Sequence, residues 1–448
     1  MSIEAPPAIL TNPLSRGQRY AVLAAVFLGW MFAGVEMSLM VPTTRPAIQA
    51  LLTSHAAGAA ATPTNLVRME VMADQWLSWF IAAFLLGAAA GGAVFGSLGD
   101  RAGRVKAMAA SVVCYSLLTG LGYFATSPEQ LLVLRFFACL GIGGMWPAGV
   151  ALVSEALPGV SRPVAAGLIG AAANVGFLML GLVMLYHPIT KESWRWVLLL
   201  GAAPVVLGCA VWGWLPESPQ WLAQRNQSVG APVALPIAQV FRPPLLQRTL
   251  IGILLGTIPL LGGWASGQRL VPWAGQIAEQ AGLQDLKAVT LTAWASGAVL
   301  GSLVGGWIAS RLGRRLSYFL MSLGSLALSL WIFLTLNPTD PQFPWAAFAL
   351  GFVATMFFGW LPWFLPELFP TAVRATGIGV AYNFGRIFSA AAVLSSTVLS
   401  AWFYGDIAKM GVATSLIYVA GLVLAWFIPG DSKSGGRETR DGRGNDLP

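Results

Sequence analysis

Three ionisable side chains lie deep inside long apolar runs: Glu36 in the run near 20–42, Arg135 near 130–154 and Arg386 near 374–403. A charge in such a run is costly and normally faces a cavity or a partner. Glu36 lies about six residues, and Arg135 about five, from run ends on the same side of the bilayer, ~8 Å of helix in each case. Equal depth lets them pair if the two runs are neighbours. A carboxylate beside a guanidinium keeps its charge, and one buried alone favours its proton. Making or breaking this contact would therefore release or take up a proton. Glu36 is a candidate proton-coupling acid with Arg135 as its partner; the competing reading is a fixed ion pair that fastens two helices. Arg386 lies about twelve residues into its run, ~18 Å along the helix and close to the bilayer midplane. No acid at that depth neutralises it, and a guanidinium grips carboxylates bidentately. An anionic ligand is expected there, with backbone carbonyls or a helix end as the alternative partner. Tyr382, Asn383, Asn174, Tyr115, Trp360 and Trp363 are candidates for the polar and aromatic lining.

The elements that must position these residues follow from composition. Of 448 residues, 56% are hydrophobic and 10% charged, against ~25% charged in a soluble domain. Apolar runs of about 20 residues, long enough to cross ~30 Å of hydrocarbon, stand near 20–42, 76–98, 105–126, 130–154, 163–186 and 194–215. Six more follow near 249–271, 288–309, 315–336, 343–365, 374–403 and 409–429. The last but one is long enough for its far end to be tilted or interfacial. The expected fold is an all-α integral membrane protein of twelve transmembrane helices in two six-helix halves.

The net charge of +8 is explained by topology. With both termini cytoplasmic, 17 of the 26 Lys and Arg fall on the cytoplasmic side, and seven (Arg45, Arg68, Lys191, Arg195, Arg269, Lys287, Lys409) fall outside. The two that remain are Arg135 and Arg386. This is the positive-inside asymmetry, so no nucleic-acid partner is expected. Cys114, Cys139 and Cys209 lie in apolar runs without metal-ligand spacing, and the two histidines, His55 and His187, are far apart. No disulfide framework, metal site, cofactor or catalytic cluster is indicated, and the chain is not expected to be an enzyme. Residues 1–19 are polar and the run after them is too long for an h-region, so no cleavable signal peptide is expected.

The chain is internally duplicated. Gly96-x-x-x-Asp100-Arg101-x-Gly103-Arg104 recurs 210 positions later as Gly306-x-x-x-Ser310-Arg311-x-Gly313-Arg314, and Gly87 and Gly91 recur as Gly297 and Gly301. Glu155-x-x-Pro158-x-x-x-Arg162 recurs 212 positions later as Glu367-x-x-Pro370-x-x-x-Arg374. Six spans per copy give the halves parallel orientation about an axis along the membrane normal, enclosing a central cavity. The glycines are expected to pack helices closely and to let the halves rock. The domains are a cytoplasmic N-terminus (1–19), a first half (20–215), a cytoplasmic linker (216–248), a second half (249–429) and a disordered cytoplasmic tail (430–448). The outer segment from about Thr43 to Asp74 shows no fold of its own. Gly141-x-Gly143-Gly144 is no dinucleotide loop, since it lies within an apolar run with no strand before it.

With these residues in hand, the chain resembles the major facilitator superfamily. Gly96 through Arg104 is similar to that superfamily's most diagnostic loop, between the second and third spans. Arg135 followed by Gly141, with Glu155, Arg162 and Pro216-Glu217-Ser218-Pro219-Gln220-Trp221-Leu222, resembles the sugar-porter and metabolite–proton symporter branches. Pro366-Glu367-Leu368-Phe369-Pro370 through Arg374 and on to Asn383-Phe384-Gly385-Arg386 is most similar to metabolite symporters of the sialate and aromatic-acid type. The seventh span (Gly256 to Gln268) lacks the paired glutamines of the sugar porters and the last ends Pro429-Gly430-Asp431, so a hexose is not expected. The resemblance implies neighbouring first and fourth spans. It also implies a charge network of Gly96, Asp100, Arg101, Gly103, Arg104, Glu155 and Arg162, with second-half counterparts Arg311, Gly313, Arg314, Glu367 and Arg374, that stabilises the outward-open state. Ser310 replaces Asp100 in the second copy, making any latch on that acid one-sided. The implied function is secondary active transport in the cell inner membrane by alternating access, as a monomer. Proton symport of a small organic anion, a sugar acid or other carboxylate, leads. Proton-driven efflux and facilitated uniport are the alternatives within transport, and a transporter-like membrane sensor is the alternative from another class.

Overall fold

The computed structural model describes residues 14–55, 63–157, 162–187, 189–227, 235–265, 269–282, 286–395 and 402–429. These form helices and connections, with no strand among the described residues. Among the described residues, twelve helices are long and apolar enough to cross a membrane. Spans 1 to 6 are Arg16–Ser38, Gln75–Ala102, Arg104–Phe124, Pro128–Ala156, Arg162–Met184 and Trp196–Trp214. Spans 7 to 12 are Leu246–Gly263, Leu286–Leu312, Arg314–Thr335, Phe343–Leu368, Thr371–Leu394 and Ile407–Phe427.

Local chemistry sets several helix ends. Ser15 and Gln18 form a reciprocal capping box at the start of span 1, satisfying backbone donors that the first turn leaves open. Ser127 caps span 4, whose first residue, Pro128, has no N–H to satisfy. Spans 2 and 3, and likewise spans 8 and 9, are joined by a single glycine at positive φ: Gly103 at 115° and Gly313 at 82°. A side chain is strained there, which is why the repeated loop keeps glycine at this position.

The glycine series separates into two tasks. A methyl at Gly87 or Gly91 would fall on the carbonyls of Phe136 or Leu140, and one at Gly297 or Gly301 on those of Phe348 or Phe352. These four glycines press span 2 onto span 4 and span 8 onto span 10. Gly96 instead faces Ala375 and Thr376 at the start of span 11, and Gly306 faces the Pro163 carbonyl at the start of span 5. One glycine of each series therefore joins the two halves, at the end of the bundle carrying the repeated loops, hereafter the loop end.

Two expectations need correction. The segment after span 1 is structured: span 1 stops at Ser38, helix Met40–His55 follows, and the helix containing span 2 begins at Pro63. Ala47, Ile48 and Leu51 give the new helix a buried apolar face, a period hidden in sequence among threonines and alanines. Span 7 ends at Gly263 and is followed by helix Leu270–Ala281, which ends at Gly282 in the left-handed region. The linker is partly helical, in Pro219–Gln227 and Pro236–Val240, with Trp221 and Val240 buried. Residues 1–13, 396–401 and 430–448 lie outside the described residues, and with them the far end expected for span 11 and the tail.

The close helix contacts give a direct test. Gly91→Leu and Gly301→Leu should each destabilise the purified protein by about 1–3 kcal/mol or more through overpacking, lowering its melting temperature in detergent. Gly181→Leu, whose added Cβ meets nothing within 4 Å, should leave it near that of the parent.

Candidate functional site

A cavity of about 120 Å³ lies between the halves. Trp30, Phe84, Trp146, Asn174 and Phe177 line it from the first half, and Trp294, Thr355, Phe358, Tyr382, Arg386 and Tyr418 from the second. Arg386 is the cation in this wall. Its guanidinium carbon stands 5.4 Å from the centre of the Phe84 ring and 5.6 Å from that of Tyr382. The side chain is 3% exposed, and Nη1 has no hydrogen-bond partner among the described residues.

Span 11 presents Arg386 by breaking. It consists of Arg374–Asn383 and Gly385–Leu394, with Phe384 between them. A Cβ on Gly385 would stand 2.7 Å from the Thr257 Cα of span 7, so the glycine lets the broken backbone pass close to its neighbour. Tyr382, on the last turn before the break, stacks on Trp146 of span 4 with ring centres 3.9 Å apart and planes at 21°. Asn174 donates from Nδ2 to Ser302 Oγ at 3.2 Å, joining spans 5 and 8.

Of the expected lining residues, Arg386, Tyr382 and Asn174 reach the wall. Asn383 lies behind it, donating to the carbonyls of Gly143 and Gly379 at 3.2 and 3.1 Å. Tyr115 is buried within the first half, with its hydroxyl donating to the Gly29 carbonyl at 3.1 Å. Trp360 is buried within the second, donating to Ser317 Oγ at 3.0 Å. Trp363 borders a separate small cavity beside Arg162 and Glu367. These helices are apolar on all sides, so sequence periodicity does not say which face meets the cavity. The missed wall residues Trp30, Phe84 and Trp146 carried one usable signal: Trp146 follows the Gly141–Gly144 stretch, where small residues bring backbones together.

Glu36 and Arg135 meet. Arg135 Nη1 donates to Glu36 Oε2 at 2.8 Å, and Nη2 donates to the Glu36 carbonyl. Thr119 of span 3 adds a 2.8 Å hydrogen bond to the same Oε2. Glu36 Oε1 accepts no hydrogen bond among the described residues and lies against Gly201 of span 6. Glu36 is fully buried and Arg135 is 7% exposed, while Met37, the next residue along span 1, lines the cavity.

A second charge cluster closes the loop end. Arg104, fully buried, donates to the Gly99 carbonyl at 2.6 Å, Asp100 Oδ1 at 2.8 Å, both oxygens of Glu155 at 3.1 and 3.2 Å, and the Thr371 carbonyl at 2.6 Å. Asp100 reaches across the halves, accepting from the N–H groups of Ala375 and Thr376 at 3.1 and 2.8 Å and from the Thr376 hydroxyl at 2.5 Å. Arg374 returns the contact, donating to Glu155 at 2.9 Å and to Gln220 at 3.1 Å. The linker completes the cluster: Glu217 caps the first N–H groups of span 3, Ser218 donates to Glu155, and Trp221 donates to the Asp100 carbonyl. Burial raises the Glu217 carboxyl above its ordinary range, against the pull of those N–H groups. In the second copy Arg314 pairs with Glu367 as Arg104 does with Glu155. Ser310, however, donates to the Trp307 carbonyl of its own helix, and Arg101 and Arg311 are exposed. Arg162 donates weakly to the Leu157 carbonyl, at 3.4 Å.

The sequence profile of the Major Facilitator Superfamily matches residues 26–393. The chain belongs to the major facilitator superfamily. This member is 30% identical over 317 residues to the "Probable 4-methylmuconolactone transporter" of Cupriavidus pinatubonensis, across 70% of its own length and 72% of the relative. It is 28% identical over 375 residues to the "Cis,cis-muconate transport protein" of Acinetobacter baylyi, across 81% and 88%. Its fold matches the superfamily's proton:xylose symporter XylE with a TM-score of 0.71 at 15% identity, covering 93% of this chain and 97% of that one. The protein is a multi-pass membrane transporter of the metabolite-carrier type.

Cutting the loop-end cluster on one side should be costly for this transporter. Arg104→Ala leaves Asp100 and Glu155 buried without their shared cation and is expected to cost about 3–5 kcal/mol, read as a large drop in melting temperature. Arg311→Ala, at an exposed position, should change stability by no more than ~0.5 kcal/mol.

Proposed function

We propose that this transporter is a proton-coupled symporter of a small unsaturated or aromatic carboxylate. The observation that carries this is Arg386, a buried guanidinium in the wall of an aromatic cavity whose Nη1 has no hydrogen-bond partner among the described residues. Desolvating such a charge costs several kcal/mol. The rings of Phe84 and Tyr382 return about 0.5–2 kcal/mol each, so the site is left short of an anion. A carboxylate supplies it through charge-assisted hydrogen bonds. The rest of the wall selects the body of the ligand. Flat rings favour a flat partner, and a compartment on the order of 100 Å³ takes a benzene-sized group. A sugar acid would need several further donors and acceptors, yet Asn174 Nδ2 and Thr355 Oγ1 are already engaged with protein partners. The substrates named for the two relatives, methylmuconolactone and muconate, fit this chemistry.

Proton coupling is assigned to Glu36. Its Oε2 holds Arg135 and Thr119, and its bare Oε1 is the atom that receives a proton. Protonation weakens the tie to Arg135 and frees span 1 to move against span 4. Alternating access then follows from rocking of the halves about the contacts of spans 2 and 11 and of spans 5 and 8. With the termini and the loop end in the cytoplasm, the closed Asp100–Arg374 cluster corresponds to the outward-facing arrangement.

Uptake into proteoliposomes under an imposed inward proton gradient tests this, with benzoate, nicotinate, muconate, gluconate and glucose as the panel. The parent should accumulate one of the unsaturated acids, and only with the gradient. Arg386→Ala should lower uptake at limiting substrate by about 10- to 100-fold, as expected for hydrogen bonds to a charged group. Glu36→Gln should abolish gradient-driven accumulation while preserving exchange of labelled for unlabelled substrate. Accumulation of glucose or gluconate instead, or accumulation indifferent to the gradient, would overturn the reading.

A further inference from the structure

On spans 4, 5, 10 and 11 the cavity-wall residues nearest the loop end are Trp146, Gly170, Phe358 and Tyr382. They meet in pairs across the halves. Gly170 of span 5 lies against the Phe358 carbonyl of span 10, and Trp146 of span 4 lies flat on Tyr382 of span 11. Trp146 and Tyr382 are 3% and 4% exposed, so no solvent path separates their rings. Below them, the nine residues from Trp146 to Glu155 represent ~13 Å of helix before the charge cluster begins. The closed end of the cavity therefore has two layers, an aromatic floor and a polar clasp, with packed helix between them.

We propose that the Trp146–Tyr382 stack is a gate in its own right, which seals the cavity floor even when the clasp is loosened and must part before a ligand leaves toward the loop end. This rests on the transport reading. The stack suits the task because two rings on opposite halves lose their contact entirely with a small rotation, while neither ring holds a charge that must be resolvated as they separate. Its placement links it to the ligand site. Tyr382 and Asn383 end one segment of span 11, Arg386 is the second residue of the next, and all three touch the first half: Trp146, the Gly143 carbonyl and Phe84 respectively. A ligand drawn onto Arg386 thus acts on the residue one turn above the gate.

The test measures access and needs no known substrate. Cys114, Cys139 and Cys209 are replaced by alanine, and a reporter thiol is introduced by Gly263→Cys, a wall position where an added Cβ meets nothing within 4 Å. A membrane-impermeant maleimide is applied from the membrane face that carries the Asp100 loop. Asp100→Asn alone, which loosens the clasp, should leave labelling slow. Adding Trp146→Ala should raise the rate at least fivefold, adding Tyr382→Leu should do the same from the other ring, and adding Trp146→Phe, which restores a ring, should return it to slow. Full labelling with Asp100→Asn alone would show that the clasp is the only seal. No increase in either ringless variant, or an increase retained with Trp146→Phe, would equally overturn the proposal. Failure of the uptake experiment alone would leave these rates unchanged, so the two readings fail separately.

Discussion

Inside a bilayer no water is available to solvate a charge or an open backbone group, so every such group must be answered by protein or by cargo. Three arginines buried among the described residues answer this in different degrees. Arg104 is satisfied in full, by two carboxylates and two carbonyls. Arg135 is matched to one acid that keeps a bare oxygen. Arg386 stands among the rings of Phe84 and Tyr382, and its Nη1 has no hydrogen-bond partner among the described residues. The proposed roles of clasp, proton-linked pair and ligand site follow that order, since a group changes partners most readily where its present ones leave it least satisfied.

The duplication supplies the frame on which these differences act. Gly87 and Gly91 hold span 2 against span 4 as Gly297 and Gly301 hold span 8 against span 10, so each half contains one pair of spans packed backbone to backbone. Gly96 and Gly306 bring the halves together at the loop end. The symmetry stops at one residue. Asp100 has an acceptor to offer the N–H groups at the start of span 11, and Ser310 turns back to its own helix. A carboxylate spans two backbone donors and a hydroxyl at once, and a serine cannot, so the polar clasp between halves is concentrated on one side of the pseudo-axis.

The chain alone determined the twelve spans, their division into two parallel copies and the superfamily, because hydrocarbon thickness and the demand for internal hydrogen bonds leave an apolar run of 20 residues one option. It also singled out Glu36, Arg135 and Arg386, since a charge in an apolar run stands out without reference to any contact. Depth arithmetic was enough to make Glu36 and Arg135 a plausible pair. Only the tertiary structure decided what faces what. Tyr115, Trp360 and Asn383 turned out to pack within or between helices rather than on the cavity wall, and Trp30, Phe84 and Trp146 took their place. The helix after span 1 and the helical parts of the linker were equally hidden. The physical reason is common to all of these: in a soluble helix the polar face marks the solvent side and the apolar face the inside, but a span between lipid and protein is apolar all round, and which face meets a cavity is set by neighbours hundreds of residues away.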